Sequence, residues 1–132
     1  MYKKIIITFI ITSYVLISAP IALSELPPKS IEFANQYFPK HLLYRAIEDF
    51  GNYTLIFKNG LKIFVNNKGD WFLIGDDNGI KINFLEKSVQ RTIKKEYPKD
   101  IIINVRRNKD HYIIKLMNQK YIKITFDGAI IK

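Results

Sequence analysis

The chain has 132 residues, 48% of them hydrophobic and 25% charged, with a net charge of +9 and no cysteine. That balance is too apolar for intrinsic disorder and suits one globular domain. The missing thiols exclude disulfides, thiolate catalysis and cysteine-ligated zinc.

The first element is a leader. Lys3 and Lys4 precede a nearly unbroken apolar run from Ile5 to Ile17, and "SAPIALS" follows before Glu25. A positive end, an apolar core and small residues at Ala22 and Ser24 predict a secretory signal peptide over residues 1–24, cut after Ser24. The rival is a membrane anchor, since a spanning helix needs about 20 apolar residues and the stretch to Leu23 approaches that. The small residues favour removal, which leaves no stable anchor. No cysteine follows the run to take a lipid. Losing the leader removes two lysines and no acid, so the net charge falls only from +9 to +7.

The remainder is written twice. Pro39 and Pro98 stand 59 positions apart, and at that period Phe38-Pro39-Lys40 falls on Tyr97-Pro98-Lys99, Tyr53 on Tyr112, Asn59 on Asn118, Ile63 on Ile122 and Gly69 on Gly128, with no gap. The expected organisation is therefore two units, 25–84 and 85–132, together forming one compact domain. Each opens with a helix. In the first, Pro27 and Pro28 suit a helix start and Ile31, Ala34 and Phe38 mark one face before Pro39 stops it. In the second, Asn83 and Glu86 have capping-box spacing, and Leu85, Val89, Ile93 and Tyr97 form a stripe that ends at Pro98. The residue before a proline is pushed out of the helical region, so each chain leaves extended.

Four short strands follow in each unit. "LLYRAIED", "YTLIFK", "LKIFVN" and "WFLI" are separated by turn signals at Gly51-Asn52, Asn59-Gly60 and Lys68-Gly69, and Asn59-Gly60 predicts a two-residue hairpin. The second unit reads "IIINVRR", "HYIIKLM", "KYIKITF" and "AIIK". The fold class is thus α+β: two tandem helix-plus-antiparallel-meander units joined in one curved sheet, with both helices on one face, because a single unit of this size buries too little surface alone.

Alternation assigns the faces. Tyr53, Leu55, Phe57, Leu61, Ile63, Val65, Tyr112, Ile114, Leu116, Ile122, Ile124 and Phe126 form the set expected under the helices. The other face receives Arg45, Thr54, Arg106 and Thr125, and with them Leu43 and Ile47. Its candidate partner-binding residues are Ile56, Lys62, Phe64, Ile113, Lys115, Met117, Tyr121 and Lys123. Aromatics, Met and aliphatics among cations on an uncovered sheet mark a protein-binding surface, although single exposed apolar residues are also ordinary. The partner expected from the charge is another protein, acidic in character. The alternative is a cell-envelope structural or surface-associated protein whose basic face holds anionic lipid or polysaccharide. No basic stripe with positioned aromatics points to nucleic acid. Exposed strand edges allow a homodimer without specifying it.

Leu26-Pro27, the helix closing in Tyr37-Phe38-Pro39, "Y-x-L-x-F-x-N-G-x-K-I" from Tyr53 to Ile63, "N-x-x-G-x-W" from Asn66 to Trp71 and a shorter second copy resemble the PepSY-like, beta-lactamase-inhibitor-like family of exported bacterial proteins. The resemblance covers the whole chain after the leader. It implies a tandem α+β unit, location in the periplasm or outside the cell, and a role in binding or inhibiting other proteins, hydrolases or peptidases among them. The second copy departs from the pattern, with Gln119 where the first has Gly60 and Ile130 in the place of Trp71.

Catalytic constellations find no support. His41 follows a helix stop and His111 opens a strand, with no Gly-x-Ser-x-Gly turn and no HExxH spacing. "GDDNG", Gly75 to Gly79, offers hard oxygens, but an EF-hand loop starting at Asp76 would meet Lys81 and Lys87 where glycine and glutamate belong. It reads as the linker between units. Glu48 and Asp49 lie at a hairpin, and Trp71 reads as a packing anchor. The expectation is a non-enzymatic binding domain without cofactor, metal or catalytic residues.

Overall fold

The computed structural model describes residues 18–132. Most of the predicted leader, residues 1–17, therefore lies outside the described residues. Eight strands form one antiparallel sheet in chain order: β1 (Ser18–Ile21), β2 (Leu43–Asp49), β3 (Asn52–Phe57), β4 (Lys62–Val65), β5 (Trp71–Gly75), β6 (Ile102–Arg107), β7 (His111–Leu116) and β8 (Tyr121–Thr125). Two ten-residue helices, α1 (Pro28–Tyr37) and α2 (Lys87–Glu96), and a 3-10 turn at Leu23–Glu25 complete the fold. Among the described residues no helix is long and apolar enough to cross a membrane.

The strand count is met by an unexpected route. "AIIK" forms no strand; the chain there makes a single bridge, Ile124 to Ile130. The eighth strand comes instead from Ser18–Ile21, inside the predicted leader, which pairs with β2.

The core is built on one ladder. Ala46, Leu55, Ile63, Ile74, Val105, Ile114 and Ile122 stand opposite one another across β2 to β8, and all are buried. From α1, Ser30 and Ala34 are buried, and from α2, Val89, Gln90 and Ile93. The predicted helix-side strand residues fall on this side, with Tyr53 and Phe126 packed at its margin. A buried aliphatic side chain contributes roughly 1.5–3 kcal/mol, so this row is the main source of cohesion.

α2 starts later than its spacing predicts. Asn83 does not cap it; the helix begins at Lys87 with Glu86 at the cap and no side-chain cap bond. The Glu86 carboxylate is engaged elsewhere, accepting from the Tyr112 hydroxyl at 2.6 Å. Gln90 Nε2 donates to the Leu85 carbonyl at 2.7 Å and so anchors the preceding turn.

Local geometry recurs at the period of 59. Phe38 and Tyr97 end their helices at φ/ψ of −132/51 and −134/53, each donating its N–H to the residue four before it. β2 is irregular between Leu43 and Arg45, β6 between Ile102 and Asn104. Four hairpins share one turn: Phe57 to Leu61, Asn66 to Asp70, Leu116 to Lys120 and Thr125 to Ala129 each close a three-residue loop whose last residue, Gly60, Gly69, Gln119 or Gly128, has positive φ. Asn59-Gly60 is thus not the expected two-residue turn, because only Gly60 is left-handed; the loop is a type I turn completed by a left-handed residue. The two-residue turn with both φ positive lies between β2 and β3, at Phe50 and Gly51, one position before the predicted one.

Two positions make this turn testable. Gln119 holds φ 73° without the freedom of glycine, so Gln119→Gly should raise stability by about 1 kcal/mol, seen as a higher urea midpoint at unchanged slope. At Gly128 a Cβ would lie 2.8 Å from the Ser88 carbonyl oxygen of α2, so Gly128→Ala should cost roughly 1–3 kcal/mol in the same assay.

Candidate partner-binding face

Residues one step out of phase with the core ladder define the opposite side of the sheet. Two continuous rows run across it. The first reads Arg45, Ile56, Lys62, Gly75, Asn104, Lys115, Tyr121. The second reads Pro20, Ile47, Thr54, Phe64, Leu73, Arg106, Ile113, Lys123. No acidic residue stands in either row. Within each row the cations are separated by apolar or neutral neighbours, as expected where like charges directly opposite each other destabilise a sheet.

The structure brings seven of the eight predicted residues into these rows: Ile56, Lys62, Lys115 and Tyr121 in the first, Phe64, Ile113 and Lys123 in the second. Met117 joins neither. It lies in the turn after β7, exposed, with its N–H donating to the Ile101 carbonyl at 2.8 Å. Tyr121 is 64% exposed, and the Lys115 ammonium sits 5.7 Å from its ring centroid, within cation–π range. Phe64, Leu73 and Ile113 are half-buried and give the face an apolar floor.

Sequence reasoning missed the contribution of β5. Leu73 is the floor residue between Phe64 and Arg106, and the Phe72 ring lies 6.3 Å from that of Phe64. A bulge sets Phe64 opposite Leu73 but Val65 opposite Trp71, which breaks the simple alternation of "WFLI". Gly75, without a side chain, opens a depression of about 290 Å³ lined by Lys62, Phe64, Leu73, Asn104 and Lys115, with Asp76 and Asp77 at its rim. The composition of "GDDNG" hid this site, since Gly75 reads there as a linker residue and becomes a gap in a row only once β5 pairs with β4 and β6.

Other cavities lie beside the helices, among them one of about 430 Å³ lined by Lys29, Glu32, Asp70 and Arg107. A cavity of about 320 Å³ lies beside the end of α1, lined by Tyr37, Phe38, His41, Leu61 and Asp76 among others. His41 is held there by Asn59 at 2.9 Å and packs edge-on between Phe38 and Phe57. His111 meets Asp110 at 2.7 Å and Asn108 at 3.3 Å, far along the sheet. Asp76, buried, accepts the Asn78 N–H at 2.9 Å, which is turn chemistry. Among the described residues no three His, Asp or Glu side chains gather as a metal site. Trp71 is buried at the centre of an aromatic cluster: Tyr112 stacks on it at 6.0 Å, Phe84 meets it edge-on at 5.2 Å, and the Arg107 guanidinium lies 4.0 Å from its centroid.

The chain matches, over residues 51–132, the family described as "Putative beta-lactamase-inhibitor-like, PepSY-like". It belongs to the PepSY-like family. No curated protein sequence matches it. Among solved structures it is similar to a "putative calcium-regulated periplasmic protein" of Bacteroides thetaiotaomicron, with TM-score 0.78 and 24% identity over 87% of this chain and 94% of that one. Two Bacteroides vulgatus proteins described as "putative periplasmic" superpose with TM-score 0.77, at 23% and 18% identity, covering 87% of this chain and 94% and 97% of theirs. At these identities the likeness establishes the PepSY-like fold and nothing finer.

The contact between Tyr112 and Glu86 fixes the α2 start to the sheet and has a pH signature. Burial, then the hydrogen bond and charge of Glu86, hold the Tyr112 hydroxyl well above the usual tyrosine range. Above about pH 10 an unfolded tyrosine ionises while this one stays protonated, so the contribution is complete at neutral pH and lost as pH rises further. Tyr112→Phe should flatten that part of the alkaline stability profile and cost roughly 1–2 kcal/mol at pH 7, by urea titration at several pH values.

Proposed function

We propose that this PepSY-like protein is an exported, non-enzymatic binding domain, made of two tandem units over residues 25–84 and 85–132, that holds an acidic protein on the helix-free face of its sheet. The observation that carries the reading is the pair of acid-free rows, in which Lys62, Arg106, Lys115 and Lys123 surround an apolar floor of Ile56, Phe64, Leu73 and Ile113. Half-buried apolar residues give a partner something to exclude water from, and the cations complement negative charge and accelerate encounter. Export is supported by the leader and by the periplasmic description of the structural neighbours. The family description, inhibitor-like toward a beta-lactamase, supports a hydrolase as the class of partner and inhibition as the outcome; a peptidase partner rests on the sequence resemblance.

The depression at Gly75 suggests where a carboxylate docks. Strands are spaced about 4.8 Å apart, so Lys62 on β4 and Lys115 on β7 stand roughly 14 Å apart with Gly75 and Asn104 between them. An acidic side chain entering there would find Lys62 and Lys115 on either side, with Asp76 and Asp77 also in the lining, so it is the two lysines that must prevail.

The test is affinity capture from the envelope fraction of the source organism with the processed protein and two variants. Phe64→Ala with Tyr121→Ala should weaken the captured partner by about 100-fold, read as off-rate. Lys62→Glu with Lys115→Glu should slow association by about tenfold, an effect that shrinks as salt is raised. Retention of every partner by the Phe64/Tyr121 variant would overturn the reading. Loss of all binding at moderate salt by the wild type, with lipid or polysaccharide in the captured material, would assign the face to an anionic polymer instead.

A further inference from the structure

The two edges of the sheet are not equivalent. Beyond β8 the C-terminal chain folds back, with the Ile131 N–H donating to the Lys123 carbonyl at 2.9 Å and Ile130 bridging Ile124. At the other edge, among the described residues, the strand that pairs with β2 is β1, whose four residues lie within the predicted leader, and the 3-10 turn Leu23–Glu25 also packs against β2. Cleavage after Ser24 would strip that cover and leave the β2 edge open.

That edge is self-complementary. Its regular stretch is Arg45 to Asp49, bounded by the irregularity after Leu43 and by the tight turn at Phe50-Gly51. When two copies pair antiparallel about Ile47, Ile47 meets Ile47, Ala46 meets Glu48, and Arg45 meets Asp49 twice. At each end Tyr44 of one copy falls beside Phe50 of the other. Arg45 and Asp49 are exposed and form no ion pair among the described residues. Tyr44 and Phe50 are 51% and 68% exposed. Phe50 also holds φ 52°, a conformation that bulky residues rarely adopt and that positions it at the hairpin tip. Opposite charges and aromatic pairs facing each other across strands are what stabilise such a register.

We propose that removal of the leader, on the export reading above, converts β2 into the interface of a two-fold dimer in which this edge pairs with its own copy and the two sheets become one. β1 then acts as an intramolecular cap that keeps the edge closed until processing. The helix-free faces of the two copies lie on the same side of the joined sheet, since antiparallel pairing about a two-fold axis preserves facing.

The experiment expresses the full chain with its own leader in a bacterial host, reads the N-terminus of the exported protein by intact mass, and measures its association by sedimentation. Expected are a mass beginning at Glu25 and a dimer at about 100 μM, whereas a cytosolic chain beginning at Ser18 stays monomeric. Arg45→Asp or Asp49→Arg alone should raise the dissociation constant about tenfold, and the two together should restore it to within about threefold, since the reversed pair again matches. Ile47→Lys gives a second route to disruption, and thermal melts confirm that each variant folds. Phe64→Ala with Tyr121→Ala should leave the dimer intact, which separates this interface from the partner-binding face. A processed chain that is monomeric, a double reversal that restores nothing, or equal dimerisation of the Ser18 chain would overturn the pairing. A leader found uncleaved would overturn the proposal through the export reading while leaving the face reading to its own test.

Discussion

The sheet is continuous because β5 meets β6 through three residue pairs, Leu73 with Arg106, Ile74 with Val105, and Gly75 with Asn104, extended by the Asp76 N–H on the Ile103 carbonyl and the Ile80 N–H on the Ile102 carbonyl. Among the described residues they are the only strand ladder between the part of the sheet that follows α1 and the part that follows α2. Ile74 and Val105 are both fully buried in the middle of the core row, so the junction is closed by apolar burial as well as by backbone hydrogen bonds. A helix with three or four strands would expose much of its apolar surface if it stood alone. Joined at Ile74 and Val105, the two halves share one continuous hydrophobic layer.

The same junction makes the opposite face. Leu73 and Arg106 complete one surface row, Gly75 and Asn104 the other, so the cations of β4 and those of β6 to β8 belong to one surface only because β5 and β6 are neighbours. The edge of the sheet follows a different logic. The strand that pairs with β2 there is Ser18–Ile21, a segment whose sequence reads as part of an export signal, so on the dimer proposal the chain's oligomeric behaviour follows its processing.

Some backbone features recur along the chain while the packing around them does not. The helix-end dihedrals and the positive-φ turn positions recur at a spacing of 59, yet the aromatic cluster is lopsided: Trp71 gathers Phe33, Phe84, Tyr112 and Arg107, whereas at the matching position Ile130 bridges to β8. The cluster draws on both halves, since Phe33 belongs to α1, Phe84 to the linker and Tyr112 to β7. Side chains there tie α1, the linker and the second hairpin into a single unit, which the backbone repeat alone does not do.

Much of this was legible in the residues. Pro39 and Pro98 ended the helices because a proline disfavours helix in the residue before it, and alternation placed Leu55, Ile63, Ile114 and Ile122 on the buried side because strand side chains alternate. Those are local rules, and local rules can be read from neighbours in the chain. The structure alone decided what depends on distant partners. Glu86 left its capping role because Tyr112, 26 residues away, supplies a hydroxyl. Leu73 joined the helix-free face because a bulge against Phe64 shifted the alternation by one. Ser18–Ile21 became a strand because β2 offers an unpaired edge, an attraction that composition cannot register. The sequence by itself determined where helices stop, which strand residues turn inward and how the pattern repeats; only tertiary pairing decided the sheet order, the rows that cross it and the edge left to be covered, because hydrogen bonds between strands join residues that no local pattern relates.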